Sequence, residues 1–330
     1  MVCFYKRLKT VIVAVLTFLI TLCCGCDDNN LIIKDKDKFP TLSESGLSVI
    51  FMDVGQGDCT IIKLPDGKIM IIDTGDVISG AGDYILQTLS SNNVSKIDYL
   101  VLTHTDVDHI GNTVSILDKV DLGKAYLPYL LDTTLFPYYE NALEVINEKA
   151  QKTYYSEMGR RIYSEDFNLY FLMPLPKDKM GQYDDLNYGD GTADQINAVS
   201  AVIYLEYKGV KFIFSGDTTY EVENLMVEYN ESGFYGMDDV DIENVDFLKV
   251  SHHGGSEEIN EKFYEALCPK NAVISVGALN NYNHPSTYTL MALEGVNPNI
   301  NILRTDVDGT VSVYVDNNGK VEVLTEKQTA

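Results

Sequence analysis

The 330-residue chain is short of basic residues, of cysteine and of histidine, and each shortage excludes something. Lys and Arg number 25 against 49 Asp and Glu, giving a formal net charge of −24. A surface this acidic repels polyanions at long range, and no basic stripe offsets it. Broad, high-affinity nucleic-acid binding is thereby excluded; a polyanionic substrate has to be gripped by a local feature such as metal ions. Four of the six cysteines (Cys3, Cys23, Cys24 and Cys26) fall in the first 26 residues. Cys59 and Cys268 alone remain, too few for a disulfide framework. The uncharged run Thr10–Leu22 is shorter than the roughly 20 residues that span a bilayer. There is no G-x-S-x-G elbow and no phosphate-cradling P-loop.

Lys6, Arg7 and Lys9 precede that run, and "CCGC" follows it. A basic start, a short apolar core and a small-residue exit describe a secretory signal. Its cysteine ending resembles a bacterial lipoprotein signal, with Cys26 after Gly25 as the lipid-bearing residue; an uncleaved anchor is the alternative. The chain then divides into a lipoprotein-type signal over 1–26, a polar tether over 27–45 and one folded domain over 46–330. The body is expected outside the cytoplasm, anchored to the membrane by lipid.

Strand-like runs ("LSVIFMDV", "CTIIKLP", "KIMIIDTG", "IDYLVLTH") alternate with helical stretches near Tyr84–Leu89 and Asn141–Lys152. Ile110, Val114 and Leu117 mark a helix face starting right after His109. The stretch 127–195 is tyrosine-rich and less regular, and reads as an insertion over one face. Strands resume at "AVSAVIYLEY", "KFIFSGD", "VDFLKVSHH" and "NAVISVG", with a helix near Glu261–Leu267 and a closing hairpin. The order is that of an α/β fold.

All five histidines lie at or after the ends of strand-like runs. "IMII" ends at Asp73, "YLVLT" at His104, "KFIFSG" at Asp217 and "FLKVS" at His252 and His253; "AVISVG" leads on to His284. Ligand sites in α/β folds gather where such strand-end loops converge. In "LTHTDVDHIG", His104 and Asp106 sit two apart on a short loop, and Asp108 and His109 open the next helix. Imidazole and carboxylate are ligands for zinc, manganese or iron. Two half-sites sharing a carboxylate would hold two ions and clamp both oxygens of a displaced phosphoryl group. His284 is a candidate proton donor or phosphate contact, and Asp73 a candidate partner for a ligand histidine. Asp53–Asp58 reads as a glycine-shaped turn, and "DVDG" at Asp306–Gly309 as a hairpin turn, since no EF-hand glutamate follows.

The stretches "DVGQGDCTIIKLPDGKIMIIDTGD", "IDYLVLTHTDVDHIGN", "FIFSGDT", "VDFLKVSHHGGSEEINEKF", "AVISVGALNNYNHPS" and "RTDVDGTVSV" together resemble the metallo-β-lactamase fold superfamily. They are most similar to the hydrolase domain of ComEC-type competence DNA-uptake proteins. The resemblance covers Gly46 to Val315 and implies an αββα sandwich, a single domain with the insertion around 127–195. It implies His104 and Asp106 at a first metal position, Asp108, His109 and His253 at a second, and Asp217 bridging. His252 is left to touch substrate, with His284 and Asp108 as further catalytic residues.

Two departures stand out: Asp106 replaces the superfamily's second histidine, and Asn197 is the nearest residue to a missing third one. An oxygen-rich first position suits manganese or magnesium better than an all-histidine pocket; a single bound ion is the alternative. The expectation is an extracytoplasmic phosphodiesterase or nuclease that uses one or two divalent ions, zinc or manganese, and a metal-bridging hydroxide. Its substrate would be single-stranded DNA or an envelope polymer, and β-lactam hydrolysis is disfavoured. The competing class is a non-catalytic, metal-stabilised binding module of an envelope or DNA-uptake complex.

Overall fold

A computed structural model describes residues 33–35, 40–78, 80–130, 132–179, 193–234, 237, 240–255 and 259–327. The signal region with Cys26, most of the tether, and residues 180–192 with Tyr183 and Tyr188 lie outside the described residues. From Leu31 onward the chain forms one compact unit.

In chain order the elements are β1 (Ile33–Asp35), β2 (Leu47–Phe51), β3 (Thr60–Lys63), β4 (Ile69–Ile72), α1 (Ala81–Ser91), β5 (Lys96–Val101), α2 (Val107–Ile110), α3 (Thr113–Leu117) and β6 (Asp121–Leu127). Next come α4 (Pro137–Lys149), β7 (Lys152–Tyr155), β8 (Asn168–Met173), α5 (Ala193–Ala198), β9 (Val202–Tyr207), β10 (Val210–Phe214), α6 (Tyr220–Ser232) and β11 (Phe247–Lys249). The last are α7 (Glu261–Leu267), β12 (Asn271–Ile274), α8 (Thr287–Val296), β13 (Asn301–Arg304), α9 (Thr305–Asp308), β14 (Val311–Val315) and β15 (Val321–Thr325).

Two sheets form, ordered β1-β15-β14-β2-β3-β4-β5-β6-β7 and β13-β12-β11-β10-β9-β8. Inner strands such as β2, β4 and β12 are buried on both faces because both faces are covered. Leu47, Val49 and Phe51 of β2 join Phe171, Ile203, Phe212 and Phe214 in a core made by strands of the two sheets. The alternate residues Ile50 and Met52 join a second core with Ile85 of α1, Ile116 of α3, Ile146 of α4 and Phe263 of α7. This is the expected α/β sandwich with helices on the outer faces.

The stretch expected as an insertion is more regular than its tyrosine content suggests. α4 starts and ends earlier than the expected 141–152, which frees Lys152–Tyr155 to pair in parallel with β6 as an edge strand. β8 forms the edge of the other sheet beside β9. The helix face after His109 is split into α2 and α3 at Gly111, whose position faces the Gly75 and Val77 backbone too closely for a side chain. Asp306–Asp308 lie in the one-turn helix α9, with Gly309 as its C-cap, where a hairpin turn was expected. Arg304 holds it, pairing with Asp306 and donating its backbone N–H to Asp308 at 2.7 Å.

β4 through β7 run parallel, as do β10 through β13. Their carboxyl ends carry the chemistry described next.

Candidate metal centre

Asp73 follows β4, Thr103 and His104 follow β5, Asp217 follows β10, His252 and His253 follow β11, and Ser275 follows β12. Parallel strands end in register, so these loops open at the same edge of the sheets. The turn before β3 reaches in beside them. Gly57 adopts φ 132°, and a Cβ there would stand 2.2 Å from the Asp108 carbonyl oxygen. Asp58 N donates to that same oxygen at 3.1 Å, tying the turn to the "HTDVDH" loop. Asp73, His252 and His253 have positive φ values of 57°, 49° and 54°. Non-glycine residues pay for that conformation, and such strain persists where surrounding contacts over-determine it.

Hydrogen bonds on one side of each imidazole fix its orientation. His109 Nδ1 lies 2.8 Å from Asp73 Oδ2, and His253 Nδ1 lies 2.8 Å from the Ser275 carbonyl oxygen. Both acceptors take a proton from Nδ1. Thr103 Oγ1 donates to Asp73 at 2.6 Å, so it accepts from His104 Nδ1 at 3.1 Å. All three rings therefore present Nε2 on the opposite side. Each of those Nε2 atoms is buried and has no hydrogen-bond partner among the described residues.

The three rings converge on carboxylates. Asp217 Oδ2 is 3.2 Å from His109 Nε2 and 3.3 Å from His253 Nε2; Asp108 Oδ2 is also 3.3 Å from His253 Nε2. Asp106 Oδ2 lies 3.8 Å from His104 Nε2, and the His104 and His109 rings are 4.1 Å apart. Asp106 occupies the N-cap position of α2, yet its carboxylate makes no cap bond. Asn197 is buried with an unpartnered Oδ1. Orphaned nitrogens with nearby oxygens, each with its far side anchored, make a donor set that fits a divalent transition ion.

Asp58, His109, Asp217 and His253 each place a ligand-type atom within 4.8 Å of one another. Asp58 nevertheless stands behind the rings. Its Oδ1 is 3.3 Å from His253 Nδ1 and its Oδ2 4.0 Å from His109 Nδ1, the sides already turned away from the pocket. There it forms an ion pair with Lys249. The Lys249 side chain is 3% exposed; its ammonium donates to the Gly216 carbonyl at 2.9 Å and lies 3.6 Å from Asp217 Oδ1. The pair is a floor under the centre, and Asp217 rests on it.

The electrostatics follow from this crowding. Burial pushes the His104 imidazole down to about 3, with His109 adding to the effect. Burial opposes charge on His109 and His253 too, but the Asp217 carboxylate and its neighbours outweigh it and hold both well above the usual imidazole range. Asp217 is held well below the carboxylate range by those two rings, despite its burial. Burial and the neighbouring Asp108 push Asp106 up to about 6. Without a cation, protons neutralise the cluster; a metal ion held on the Nε2 side would take their place.

His252 and His284 form the outer wall. His252 has a half-exposed side chain with Nε2 4.0 Å from Asp217 Oδ2, whereas His253 is buried, so His253 is the member of the pair aimed inward. His284 packs 5.4 Å from the His252 ring and 6.2 Å from the His253 ring. Burial, then His252 and His253, push it down to about 4.

Two residues here escaped the sequence reading, Asp58 and Lys249. Asp58 was hidden in a turn that glycine geometry explained. Lys249 had a usable signal, because a lysine inside the apolar run "FLKV" of a covered parallel strand needs a buried anion.

The sequence matches the profile of the Metallo-beta-lactamase superfamily over residues 52–277. ComE operon protein 3 of Bacillus subtilis (strain 168) is 27% identical over 295 residues, covering 84% of this chain and 34% of that protein. Competence protein ComA of Neisseria gonorrhoeae is 25% identical over 276 residues, covering 84% of this chain and 33% of its own. The chain thus spans about a third of the length of these relatives. Among solved structures, the metallo-beta-lactamase fold protein YhfI from Bacillus subtilis superposes with a TM-score of 0.50 at 8% identity, covering 81% of this chain and all of that one.

Proposed function

Because the chain belongs to the metallo-β-lactamase superfamily, we propose that it is a metal-dependent phosphodiesterase working outside the cytoplasm. The observation that carries this reading is the convergence of the anchored Nε2 atoms of His109 and His253 on Asp217, with that of His104 turned to Asp106 beside them. His104 and Asp106 would hold one ion, Asp108, His109 and His253 a second, with Asp217 shared; zinc and manganese both suit the set. Such ions supply Lewis acidity and lower the pKa of bound water. Asp73 and the Ser275 carbonyl keep the ligand rings in the required tautomer. His252, half-exposed at the wall, is placed to contact a phosphoryl oxygen. His284, pushed down to about 4 and so neutral at pH 7, suits a hydrogen bond to a phosphate oxygen better than proton donation to a leaving group.

The acidic composition favours a single phosphodiester gripped locally over a long duplex held by basic contacts. The resemblance to ComEC-type competence DNA-uptake proteins favours single-stranded DNA as substrate, with an envelope polymer as the rival. Anchorage through a lipid on Cys26 rests on the leader sequence, and among the described residues no helix is long and apolar enough to cross a membrane.

The test is to load the full chain with manganese or zinc and assay bis-p-nitrophenyl phosphate, linear single-stranded DNA and nitrocefin. Turnover of the first two, lost in Asp217→Ala and His109→Ala, is expected. Nitrocefin should be spared, because carboxylate replaces imidazole at the first position. Activity that survives both substitutions overturns the reading. Metal uptake without turnover of any ester assigns the chain to the binding-module class.

A further inference from the structure

The wall of the pocket continues outward as a line of rings. His253, at the centre, faces His284 at 6.2 Å; His284 faces Tyr282 at 5.6 Å with the planes 35° apart. Tyr282 is 67% exposed, and no other aromatic ring covers its outer side among the described residues. The loop that carries it is tightly held. The Asn280 side chain accepts from the backbone N–H groups of Tyr282 and His284, at 3.1 and 3.0 Å. It also donates to the Gly277 and His284 carbonyls, at 2.9 and 2.7 Å. Gly277 N is bonded to Gln56 Oε1 at 3.1 Å, which fastens the loop to the turn beneath the metal centre. Gly255 lets His284 lie flat against the backbone, since a Cβ there would stand 1.9 Å from its Nε2.

A well-fixed loop that holds a large ring mostly in water gains little stability from that ring, because a tyrosine 67% exposed buries little apolar surface. Its position beside the pocket supplies another reason. We propose that Tyr282, backed by His284, is a stacking platform for a nucleobase of the substrate, which makes the site selective for base-bearing phosphodiesters. The inference rests on the phosphodiesterase reading and adds the residue that would select a nucleic acid over an envelope polymer. It also resolves a difficulty of charge. An acidic protein gains little affinity from phosphates beyond those at the metal ions, and base stacking provides affinity without basic residues.

The chain contains no tryptophan, so Tyr282→Trp installs a single fluorescent reporter at the platform. The full chain carrying this substitution is titrated with oligothymidylate, with an abasic oligomer of the same length, and with a glycerol phosphate oligomer, both metal-free and manganese-loaded. Saturable quenching by oligothymidylate alone is expected. In parallel, the ratio of kcat/KM for thymidine 5′-p-nitrophenyl phosphate over methyl p-nitrophenyl phosphate is compared in wild type, Tyr282→Phe and Tyr282→Ala. Loss of one base stack should lower that ratio about tenfold in Tyr282→Ala, through KM, while Tyr282→Phe keeps it. Equal quenching by the abasic or glycerol phosphate oligomer, or an unchanged ratio in Tyr282→Ala, overturns the proposal. If wild type turns over no ester, the phosphodiesterase reading fails by itself, and the fluorescence titration still decides whether a base binds at Tyr282.

Discussion

Asp73 Oδ2 and His109 Nδ1 stand 2.8 Å apart, both side chains fully buried, and this bond turns the other nitrogen of His109 toward Asp217. Asp73 is itself held by Thr103 through both its backbone N–H, at 2.8 Å, and its hydroxyl, at 2.6 Å. Partners of this kind orient a metal-binding imidazole and raise its basicity. Asp73→Asn should therefore weaken divalent-metal affinity by roughly 10–100-fold with the fold intact. Competition against a chelating dye, alongside circular dichroism, measures it; unchanged affinity would make Asp73 a strand-end residue only.

Metal uptake should be coupled to proton release. Carboxylates hold His109 and His253 well above the ordinary imidazole pKa in the metal-free pocket, so both carry protons at pH 7. A cation on the Nε2 side displaces them, and affinity rises as pH rises. Calorimetry in buffers of different ionisation enthalpy should show more than one proton released at pH 7. A release near zero would place the ion elsewhere.

Lys249 and Asp58 form a buried pair, and removing one partner strands the other. Lys249→Met should destabilise the metal-free chain by about 3 kcal/mol or more, whereas Lys249→Met with Asp58→Asn should recover much of that loss. Urea denaturation in the presence of a chelator gives the coupling energy. Additive losses would contradict the geometry.

Glu223 on α6 is buried, bonded at 2.7 Å by the Ser251 hydroxyl, and burial pushes its carboxyl up to about 8. A carboxyl with a raised folded pKa contributes its stability in full below the unfolded value of 4.5; that contribution is lost as pH climbs through about 8. Stability from this group should fall across that window. Glu223→Gln, which keeps the shape and stays neutral, should be the more stable protein at pH 8 by an amount on the order of a few kcal/mol, and should flatten the decline in Tm. An identical pH profile in the two proteins would exclude a buried carboxyl.

What the sequence could show depended on whether a residue's role was local. Strand ends were legible because covered parallel strands are continuously apolar and stop abruptly at Asp73, His104, Asp217 and His252. The resemblance already named His253 as the ligand of its pair; the left-handed backbone at both positions, which no spacing rule encodes, is how the fold buries that ring and leaves His252 half-exposed. Lys152–Tyr155 looked irregular because this edge strand is polar and largely exposed, so no apolar alternation marks it. Asp58 and Lys249 are partners across 191 residues of chain, a pairing visible only once β3 and β11 are brought to the same edge.

The central claim is that the Nε2 side of His104, His109 and His253, with Asp217, is the metal side. Crystals of the manganese-loaded protein, measured for anomalous scattering, test it most directly. The account predicts an anomalous peak at bonding distance from Asp217 Oδ2 and from Nε2 of His109 and His253, with Asp58 still paired to Lys249. A peak bonded to Asp58 on the Nδ1 side, or no peak in the pocket at saturating manganese, would contradict it.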